Sequence, residues 1–318
     1  MTRDLVSAPR QSVAGADGAL SASSIAAAAQ LSCLLEASAP KPGNVSPGMP
    51  FADTSYEDFL ASAAAIGAPL AAAGEVPLGV TIRRAIESTR QWTRSNTNLG
   101  IVLLLAPLAR AAAVCPTPPG GTASVVPPAE LRQSLRQVLS AATVNDTREV
   151  YAAIRLAAPG GLGQATAQDV ASEPTIALQD AMRLAEDRDG IAREYVTAFE
   201  TTFERGAPAL ERARRDGLSW NDAIVEVFLT VLALAPDTHI VRRAGANAAS
   251  RATASARSAL DAGGVRTKGG RRVIDDMNAR LRDAGNTSNP GTTADLTAAA
   301  LFVVLLGGGW ARAAGVRP

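Results

Sequence analysis

Histidine, lysine, cysteine and aromatic residues are scarce in this sequence of 318 residues. The single histidine, His239, excludes a zinc site built on several histidines and a catalytic triad with a histidine to spare. The two cysteines, Cys33 and Cys115, do not make a disulfide framework, and no Cys/His cluster has metal-ligand spacing. The formal net charge of only +1 gives no reason to expect a nucleic acid or an acidic membrane as partner.

Long hydrophobic runs are also missing. The two most apolar stretches, Leu99–Ala109 and Leu296–Trp310, are shorter than the roughly 18 to 20 residues that a membrane span needs. They therefore predict buried core helices. No unbroken apolar run follows the charged residues near the N-terminus, so no signal peptide is recognised and a cytoplasmic location is expected.

Alanine is abundant and alternating strand patterns are nearly absent, which together predict an all-α protein. We expect roughly a dozen helices in a single compact multi-helix domain over residues 21–318, preceded by a flexible segment, residues 1–20. Breaks are expected at the Pro/Gly-rich stretches Pro116–Pro128 and Ala158–Gly163. The patterns predict helices that include Tyr56–Ala73, Glu173–Asp187, Gly190–Phe203 and Ala244–Ala262; the best strand candidate is "TASVV", 122–126.

Four polar clusters lie at predicted helix ends, and the first surrounds one of only two lysines. Lys41 stands between two prolines, is followed by Gly43 and Asn44, and precedes Asp53 in the same connection. Proline on each side favours an extended backbone, and a compact ammonium suits a point contact with phosphate oxygens. An exposed turn lysine without function is the alternative.

The second cluster, "SNTNLG", ends at Gly100 and begins the apolar helix. Its Asn96 and Thr97 are able to cap that helix or to present free backbone amides to an anion. An ordinary helix cap explains the pattern equally well.

The third cluster, "PDTHIVRR", brings Asp237, His239, Arg242 and Arg243 within seven residues. Such a group is suited to binding a metal–phosphate or to moving a proton. In the fourth cluster, "NPGTTADL", Asp295 lies in the first turn of the second apolar helix. This carboxylate is either a partner of the helix dipole or an acid that faces a cleft.

In this order, "PKPGNV", "SNTNLGIVLLLAPLA", "PDTHIVRRAG" and "NPGTTADL" resemble the triphosphoribosyl-dephospho-CoA synthase family. Two linking segments, "NDTREVYAAIRLAAPGGLG" and "AMRLAEDRDGIAREYVTAF", are similar too, so that the resemblance runs from about residue 25 to 310. It implies an all-helical enzyme that joins the ribose of ATP to a ribose hydroxyl of dephospho-CoA, releases adenine and keeps the triphosphate.

This chemistry suggests a role for each candidate. We expect Lys41 and Arg242 or Arg243 to bind the triphosphate with Mg²⁺, and Asp237 and Asp295 to act as metal ligands or as the base. The remaining candidates are expected to hold ribose or phosphate or to support the site: Gly43, Asn44, Asp53, Asn96, Thr97 and His239.

The sequence departs from the family pattern at four motif positions. Asn44 and Ser46 stand where Leu and Asp are typical, and Asn98 and Leu99 stand where His and Lys are typical. This form looks closer to relatives in archaea and one-carbon-metabolising bacteria. Two alternatives therefore stay open: transfer to another acceptor, as in the synthesis of a pterin-type one-carbon carrier, or a catalytically silent nucleotide-binding helical protein.

Overall fold

The structure is a computed structural model, and it describes residues 20–116, 125–283 and 285–310. The expected flexible segment falls almost entirely outside these residues, as does most of the 122–126 strand candidate. The boundary near residue 20 therefore stays a prediction. The described residues form helices and no strand, which confirms the all-α prediction.

Fifteen α-helices are found among the described residues. The first eight are α1 Ala22–Ser38, α2 Tyr56–Ala65, α3 Gly67–Ala71, α4 Leu78–Arg90, α5 Leu99–Val114, α6 Pro128–Ser140, α7 Val144–Ala157 and α8 Leu178–Arg183. The others are α9 Gly190–Thr197, α10 Ala207–Arg215, α11 Trp220–Leu232, α12 Thr238–Ala244, α13 Ala246–Asp261, α14 Lys268–Leu281 and α15 Gly291–Leu306. Short 3₁₀ turns lie at Ala72–Gly74 and Gly264–Arg266, and a π-helical turn spans Thr201–Gly206.

The two apolar stretches are the central helices α5 and α15. Both are buried on nearly every face, they pack against each other, and α1 packs against both. A helix that is apolar all round belongs in a core, as the sequence predicts. No helix in the described part of the chain is long and apolar enough to cross a membrane.

A second apolar cluster lies beneath α11, α13 and α14, with Phe228 and Met277 buried at its centre. It meets the main core along α11, which contributes residues to both clusters. The fold is thus a continuous helical body, in which the ends of several helices and one face each of α7 and α8 border a cavity.

Several predicted helices are too long. The segment 173–187 is helical only over α8, and the predicted helix 190–203 ends at Thr197 because Ala198 and Phe199 have positive φ. The buried Glu194 carboxylate then accepts hydrogen bonds from the backbone amides of Thr201 and Thr202, which begins the π-helical turn. Tertiary contacts override the local pattern here, since periodicity does not reveal such a cap.

Two other predicted spans are divided into shorter helices. The predicted helix Tyr56–Ala73 breaks at Ile66 into α2 and α3, and the predicted helix Ala244–Ala262 begins after Gly245, whose φ is +87°. This glycine separates α12 from α13. The division matters for the site, because it leaves α12 as a short independent helix whose side chains face the cavity.

Candidate active site

A cavity of about 680 Å³ lies where α1 ends and where α5, α9 and α15 begin. Its wall is completed by α12 and by the connection from Ala158 to Val170. Of the residues predicted from the sequence, eight line it: Asn44, Asp53, Asn96, Thr97, His239, Arg242, Arg243 and Asp295. Clusters that lie far apart in the chain therefore share one cavity.

Asp295 lies in the second turn of α15 and packs directly on Gly100 of α5. A Cβ atom at residue 100 would overlap the Asp295 Oδ2 atom, so glycine is required for this approach. Burial, the Glu36 carboxylate and then Asp237 raise the pKa of Asp295 well above its usual value, and Arg242 opposes this only in part. The carboxyl is therefore suited to carry a proton at a pH where an exposed aspartate does not.

Asp237 is the N-cap of α12, and its carboxylate is fully engaged. Oδ1 accepts from the amides of His239 and Ile240 at 2.9 and 3.0 Å, and Oδ2 accepts from the amide and hydroxyl of Thr293, both at 2.7 Å. The residue joins the beginnings of α12 and α15 and does not line the cavity. This geometry does not fit the metal ligand or base expected from the sequence, because four donors already occupy its lone pairs.

Lys41 is also turned away from the cavity. Its Nζ lies 2.9 Å from Oε1 of Glu36 and donates to the carbonyl oxygens of Glu36 and Ala39, and its side chain is only 1% exposed. An ammonium has three N–H donors, and these acceptors account for all three. The expected contact with triphosphate is absent from this geometry.

Gly43 does not line the cavity either. Its φ is +75°, its amide donates to Oδ1 of Asn278 at 2.9 Å, and an added Cβ would lie 2.8 Å from that of Leu281. The glycine lets the chain turn tightly against α14, and this turn carries Asn44 into the cavity wall.

His239 is held by a hydrogen bond of 2.9 Å between its Nδ1 atom and the carbonyl oxygen of Asn289. Because a carbonyl only accepts, Nδ1 carries the proton and Nε2 is left unprotonated in the neutral ring. Burial lowers the pKa of His239, against the raising effects of Asn289 and Asp237. The ring is therefore a neutral group of the cavity wall.

Three arginines line the same cavity. Arg242 pairs with Asp189 at 2.9 Å, Arg243 donates to the carbonyl of Gly285 at 3.1 Å, and the third is Arg188. The Nε atom of Arg242 is buried and has no hydrogen-bond partner among the residues that the structure describes. These guanidinium groups supply the positive charge that a polyphosphate requires.

Asn96 and Thr97 mark the start of α5. The Asn96 carboxamide oxygen accepts from the amide of Leu99 at 3.2 Å, and the Thr97 hydroxyl is hydrogen-bonded to that of Ser62. Asn98, the N-cap residue, donates to the Thr89 hydroxyl at 3.0 Å and also lines the cavity. Asn96 thus contributes to the cap of α5, this cap faces the cavity, and contact of Asn96 or Thr97 with ribose or phosphate stays a prediction.

The sequence patterns missed Glu36, Asp189 and Arg188. Glu36 lies near the end of α1, five residues before Lys41, and is 3% exposed. It forms the ion pair with Lys41, although the sequence analysis singled out only the lysine. Asp189 and Arg188 belong to "AEDRDGIAREY", which carried part of the family resemblance. The sequence pattern that could have identified Glu36 is a glutamate near the end of an apolar helix, five residues before a lysine.

A preformed metal site is not found among the described residues, where no group of three or more His, Cys, Asp or Glu side chains could hold an ion. Asp189 is engaged like Asp237, since it caps α9 and pairs with Arg242. Of the two carboxylates predicted to bind Mg²⁺, Asp237 already accepts from four donors, whereas Asp295 has neither an ion pair nor a side-chain hydrogen bond among the described residues. Its role as a metal ligand stays a prediction.

Residues 22–313 match the model of the family described as ATP:dephospho-CoA triphosphoribosyl transferase. A relative from Stutzerimonas stutzeri (strain A1501) is 34% identical over 113 residues, or 35% of this chain and 38% of the relative. One from Pseudomonas paraeruginosa is 33% identical over 125 residues, or 38% and 42%. Both carry the name "Probable 2-(5''-triphosphoribosyl)-3'-dephosphocoenzyme-A synthase", and the matched region spans about two fifths of their length.

Among solved structures, a crystal structure from Archaeoglobus fulgidus is similar with a TM-score of 0.61 and 27% identity. The similarity covers 80% of this chain and 99% of the other, which is named for triphosphoribosyl-dephospho-CoA synthase. The order of motifs, the helical fold and the match over residues 22–313 agree, and this chain belongs to the ATP:dephospho-CoA triphosphoribosyl transferase family.

Proposed function

We propose that this protein transfers the triphosphoribosyl group of ATP to a ribose hydroxyl of 3′-dephospho-CoA and releases adenine. The observation that carries this proposal is the single cavity in which arginines and carboxyl groups from distant segments of a family member meet. A phosphorylated sugar requires cations for its phosphates, and a glycosyl transfer requires a carboxylate near the anomeric carbon. Both kinds of group line this cavity.

The triphosphate end of ATP is assigned to Arg188, Arg242 and Arg243. Gly160 and Gly161 support this assignment, since the turn that contains them packs against Arg243 and the backbone of Arg242. The beginning of α5, where Asn98 and Gly100 line the cavity, offers further amides and a favourable helix dipole.

The ribose is assigned to the part of the cavity between Asn96, Thr97 and Asp295. Cleavage of the bond between C1′ and adenine leaves an electron-poor carbon, for which a nearby carboxyl is needed. Asp295 is the carboxyl whose protonated form burial favours, and this suits it to pass a proton to the departing adenine.

Mg²⁺ would act here as a partner of the substrate phosphates rather than of a protein cage, because this ion usually keeps water and few carboxylate ligands. When bound it would neutralise phosphate charge. Asp295 is the residue that would approach such an ion, and no step of the proposal passes through it.

A different acceptor is the second candidate, because the positions that depart from the family pattern are in the site. Of these four positions, Asn44, Asn98 and Leu99 line the cavity, whereas Ser46 does not. A changed wall would favour another hydroxyl compound, such as a precursor of a pterin-type carrier, with the same use of ATP. A catalytically silent nucleotide-binding protein is the third candidate.

Release of free adenine separates the three candidates. Purified protein is incubated with ATP and Mg²⁺, with dephospho-CoA, with a pterin-type acceptor or with no acceptor, and adenine and the transferred product are measured by chromatography and mass. Adenine with dephospho-CoA supports the proposal, and adenine only with the other acceptor replaces it by the second candidate. If the protein binds nucleotide but releases adenine in none of the mixtures, the third candidate, a catalytically silent nucleotide-binding protein, is supported.

A further inference from the structure

We propose that Glu36 is a catalytic carboxylate of this site and that Lys41 is its positioning residue, not a ligand of the triphosphate. This inference rests on the proposed transfer of a ribosyl group. It names Glu36 as the residue that takes the proton from the hydroxyl group of the acceptor. It reverses the expectation that the scarce lysine of the "PKPGNV" motif reaches the phosphates.

The geometry of Lys41 carries the first step. Its ammonium contacts one carboxylate oxygen of Glu36 and the carbonyl oxygens of Glu36 and Ala39, so no N–H donor is left for a substrate. The Glu36 carbonyl lies in the last turn of α1 (Ala22–Ser38), where helix carbonyls lack partners within the helix, and Ala39 is the C-cap residue of that helix. The lysine therefore closes the helix and holds Glu36 at once.

The flanking prolines explain why this arrangement forms. Pro40 and Pro42 fix φ in two tight turns after α1: the Lys41 amide donates to the Ala39 carbonyl at 2.8 Å, and the Asn44 amide donates to the Lys41 carbonyl at 3.1 Å, with Gly43 at φ +75°. The short connection returns the lysine side chain to the helix it has just left. A lysine suits this buried position because its compact ammonium reaches three acceptors at once, whereas the flat guanidinium of arginine does not.

Glu36 itself faces the cavity. It is 3% exposed yet contributes to the cavity wall, and one of its two carboxylate oxygens, Oε2, has no ion-pair partner among the described residues. The Lys41 ammonium forms a buried ion pair with Oε1 at 2.9 Å and leaves Oε2 on the other side of the carboxylate. The site thus has one carboxylate held beside a cation and one carboxyl, Asp295, without such a partner.

The other charged and titratable groups around this carboxylate are neutral, ion-paired or, for Asp295, held in the protonated form by burial. Cys33, one turn earlier on α1, is buried, and burial followed by Glu36 raises the pKa of its thiol to about 12, so it stays neutral. From α15, α12 and α9, the surrounding groups are Asp295, His239, Arg242 and Asp189. Asp189 and Arg242 neutralise each other, and burial keeps His239 neutral.

The step assigned to Glu36 is proton transfer from the acceptor. The bond between C1′ and N9 breaks and adenine keeps the electron pair, while the acceptor hydroxyl oxygen forms the new bond to C1′. Oε2 of Glu36 takes the hydroxyl proton and later returns it to water, and adenine gains one proton in the same turnover. The negative carboxylate also stabilises the positive charge that develops on the ribose ring.

The test separates catalysis from ATP binding with three variants of the full chain: Glu36→Gln, Lys41→Met and the double variant. Adenine release gives kcat, and calorimetry with ATP and Mg²⁺ gives the ATP affinity. Both single variants are expected to lose about a hundredfold or more in kcat and to keep the ATP affinity within about threefold. The double variant is expected to regain the melting temperature lost in Lys41→Met, because it leaves no unpaired buried charge, and to stay inactive.

Glu226→Gln is the matched control, since Glu226 is likewise a helix glutamate in an ion pair, here with Arg266, but lies outside the cavity. It should keep kcat. Full kcat in Glu36→Gln would overturn the proposal, and so would a loss of about tenfold or more in ATP affinity with kcat retained in Lys41→Met. If Lys41→Met does not fold, the kcat and ATP affinity of Glu36→Gln and of the double variant test the proposal instead. Absence of adenine from the unmodified protein with every acceptor would instead reject the proposed function.

Discussion

At the scale of single residues, the two aspartates Asp237 and Asp295 differ in how many hydrogen bonds and ion pairs their carboxyl groups make. Asp237 has both carboxylate oxygens saturated by four donors, whereas Asp295 rests against Gly100 with no ion pair among the described residues. The first arrangement stabilises the fold and the second leaves a buried acid available to substrate. Which aspartate belongs to which class depends on the donors around it.

Asp295→Asn is expected to abolish adenine release and to stabilise the protein at neutral and higher pH. The raised pKa means that the folded wild type loses stability as pH rises from the unfolded value of 3.8 through the folded value. Asparagine does not ionise, so the melting temperatures of the two proteins should converge near pH 4 and separate as pH rises. For a chain of 318 residues, each kcal/mol of difference would shift the melting temperature by about 1.5 °C. Thermal unfolding of both proteins over a series of pH values measures this difference in melting temperature. A difference that does not change with pH would contradict the prediction.

Gly100→Ala is expected to reduce activity by displacing the Asp295 carboxyl, because a Cβ atom has no room there. We expect destabilisation of about 1–3 kcal/mol from this overpacking, measured by urea unfolding together with kcat. Gly269→Ala is the matched control, since Gly269 is also the second residue of a helix but an added Cβ there lies 3.7 Å from its nearest neighbour. That control should keep activity and gain up to about 1 kcal/mol, since alanine favours helix. Equal effects of the two substitutions would contradict the assigned contact.

At the scale of helices, the beginnings of α9, α12 and α15 form one hydrogen-bonded junction. The Gly190 amide donates to the Thr238 hydroxyl at 3.1 Å, and that hydroxyl is 3.0 Å from the hydroxyl of Thr292. Asp237 joins α12 to α15 beside it through Thr293. This junction fixes where Arg242, His239 and Asp295 stand relative to each other.

Asp237→Ala should therefore destabilise the fold more than loss of an ordinary helix cap. The substitution removes the cap of α12 and leaves the buried Thr293 amide and hydroxyl without their acceptor, for an expected cost of about 2–4 kcal/mol. Ser219→Ala removes the exposed cap of α11, which accepts from Asp222 only, and should cost about 1 kcal/mol. Urea unfolding compares the two. Equal losses would show that the link to α15 contributes nothing.

At the scale of the whole molecule, the cavity exists only in the folded chain, since its wall is drawn from residues between Glu36 and Asp295. A ligand that binds there should stabilise the entire fold. ATP at a hundred times its dissociation constant is expected to add about 2.7 kcal/mol to the free energy of unfolding. The shift should fall with ADP and AMP, because fewer phosphates reach the arginines.

Thermal unfolding with each nucleotide measures this stabilisation. Arg243→Gln should weaken the shift that ATP produces, whereas Arg257→Gln, which changes an exposed arginine bonded to the Ala233 carbonyl away from the cavity, should not. If ATP raises the melting temperature equally in the unmodified protein, Arg243→Gln and Arg257→Gln, the assignment of Arg243 to the triphosphate would be contradicted.

The sequence by itself determined the helical class, the two buried helices α5 and α15 and the segments that meet at the site. Alanine content and all-round apolar patterns are local properties, and the order of motifs survives in the chain whatever its contacts. These signals also named eight residues that line the cavity.

Only the tertiary structure decided what each polar residue does. Lys41 turns back to Glu36, Asp237 caps a helix and Asp295 has no ion pair among the described residues, although the sequence analysis expected Lys41 to bind the triphosphate and both aspartates to act as metal ligands or as the base. The ends of predicted helices at Ala198 and Gly245 were likewise set by caps and positive φ values. A side chain's role depends on the donors, acceptors and dielectric that distant segments bring to it, and spacing along the chain does not record those neighbours.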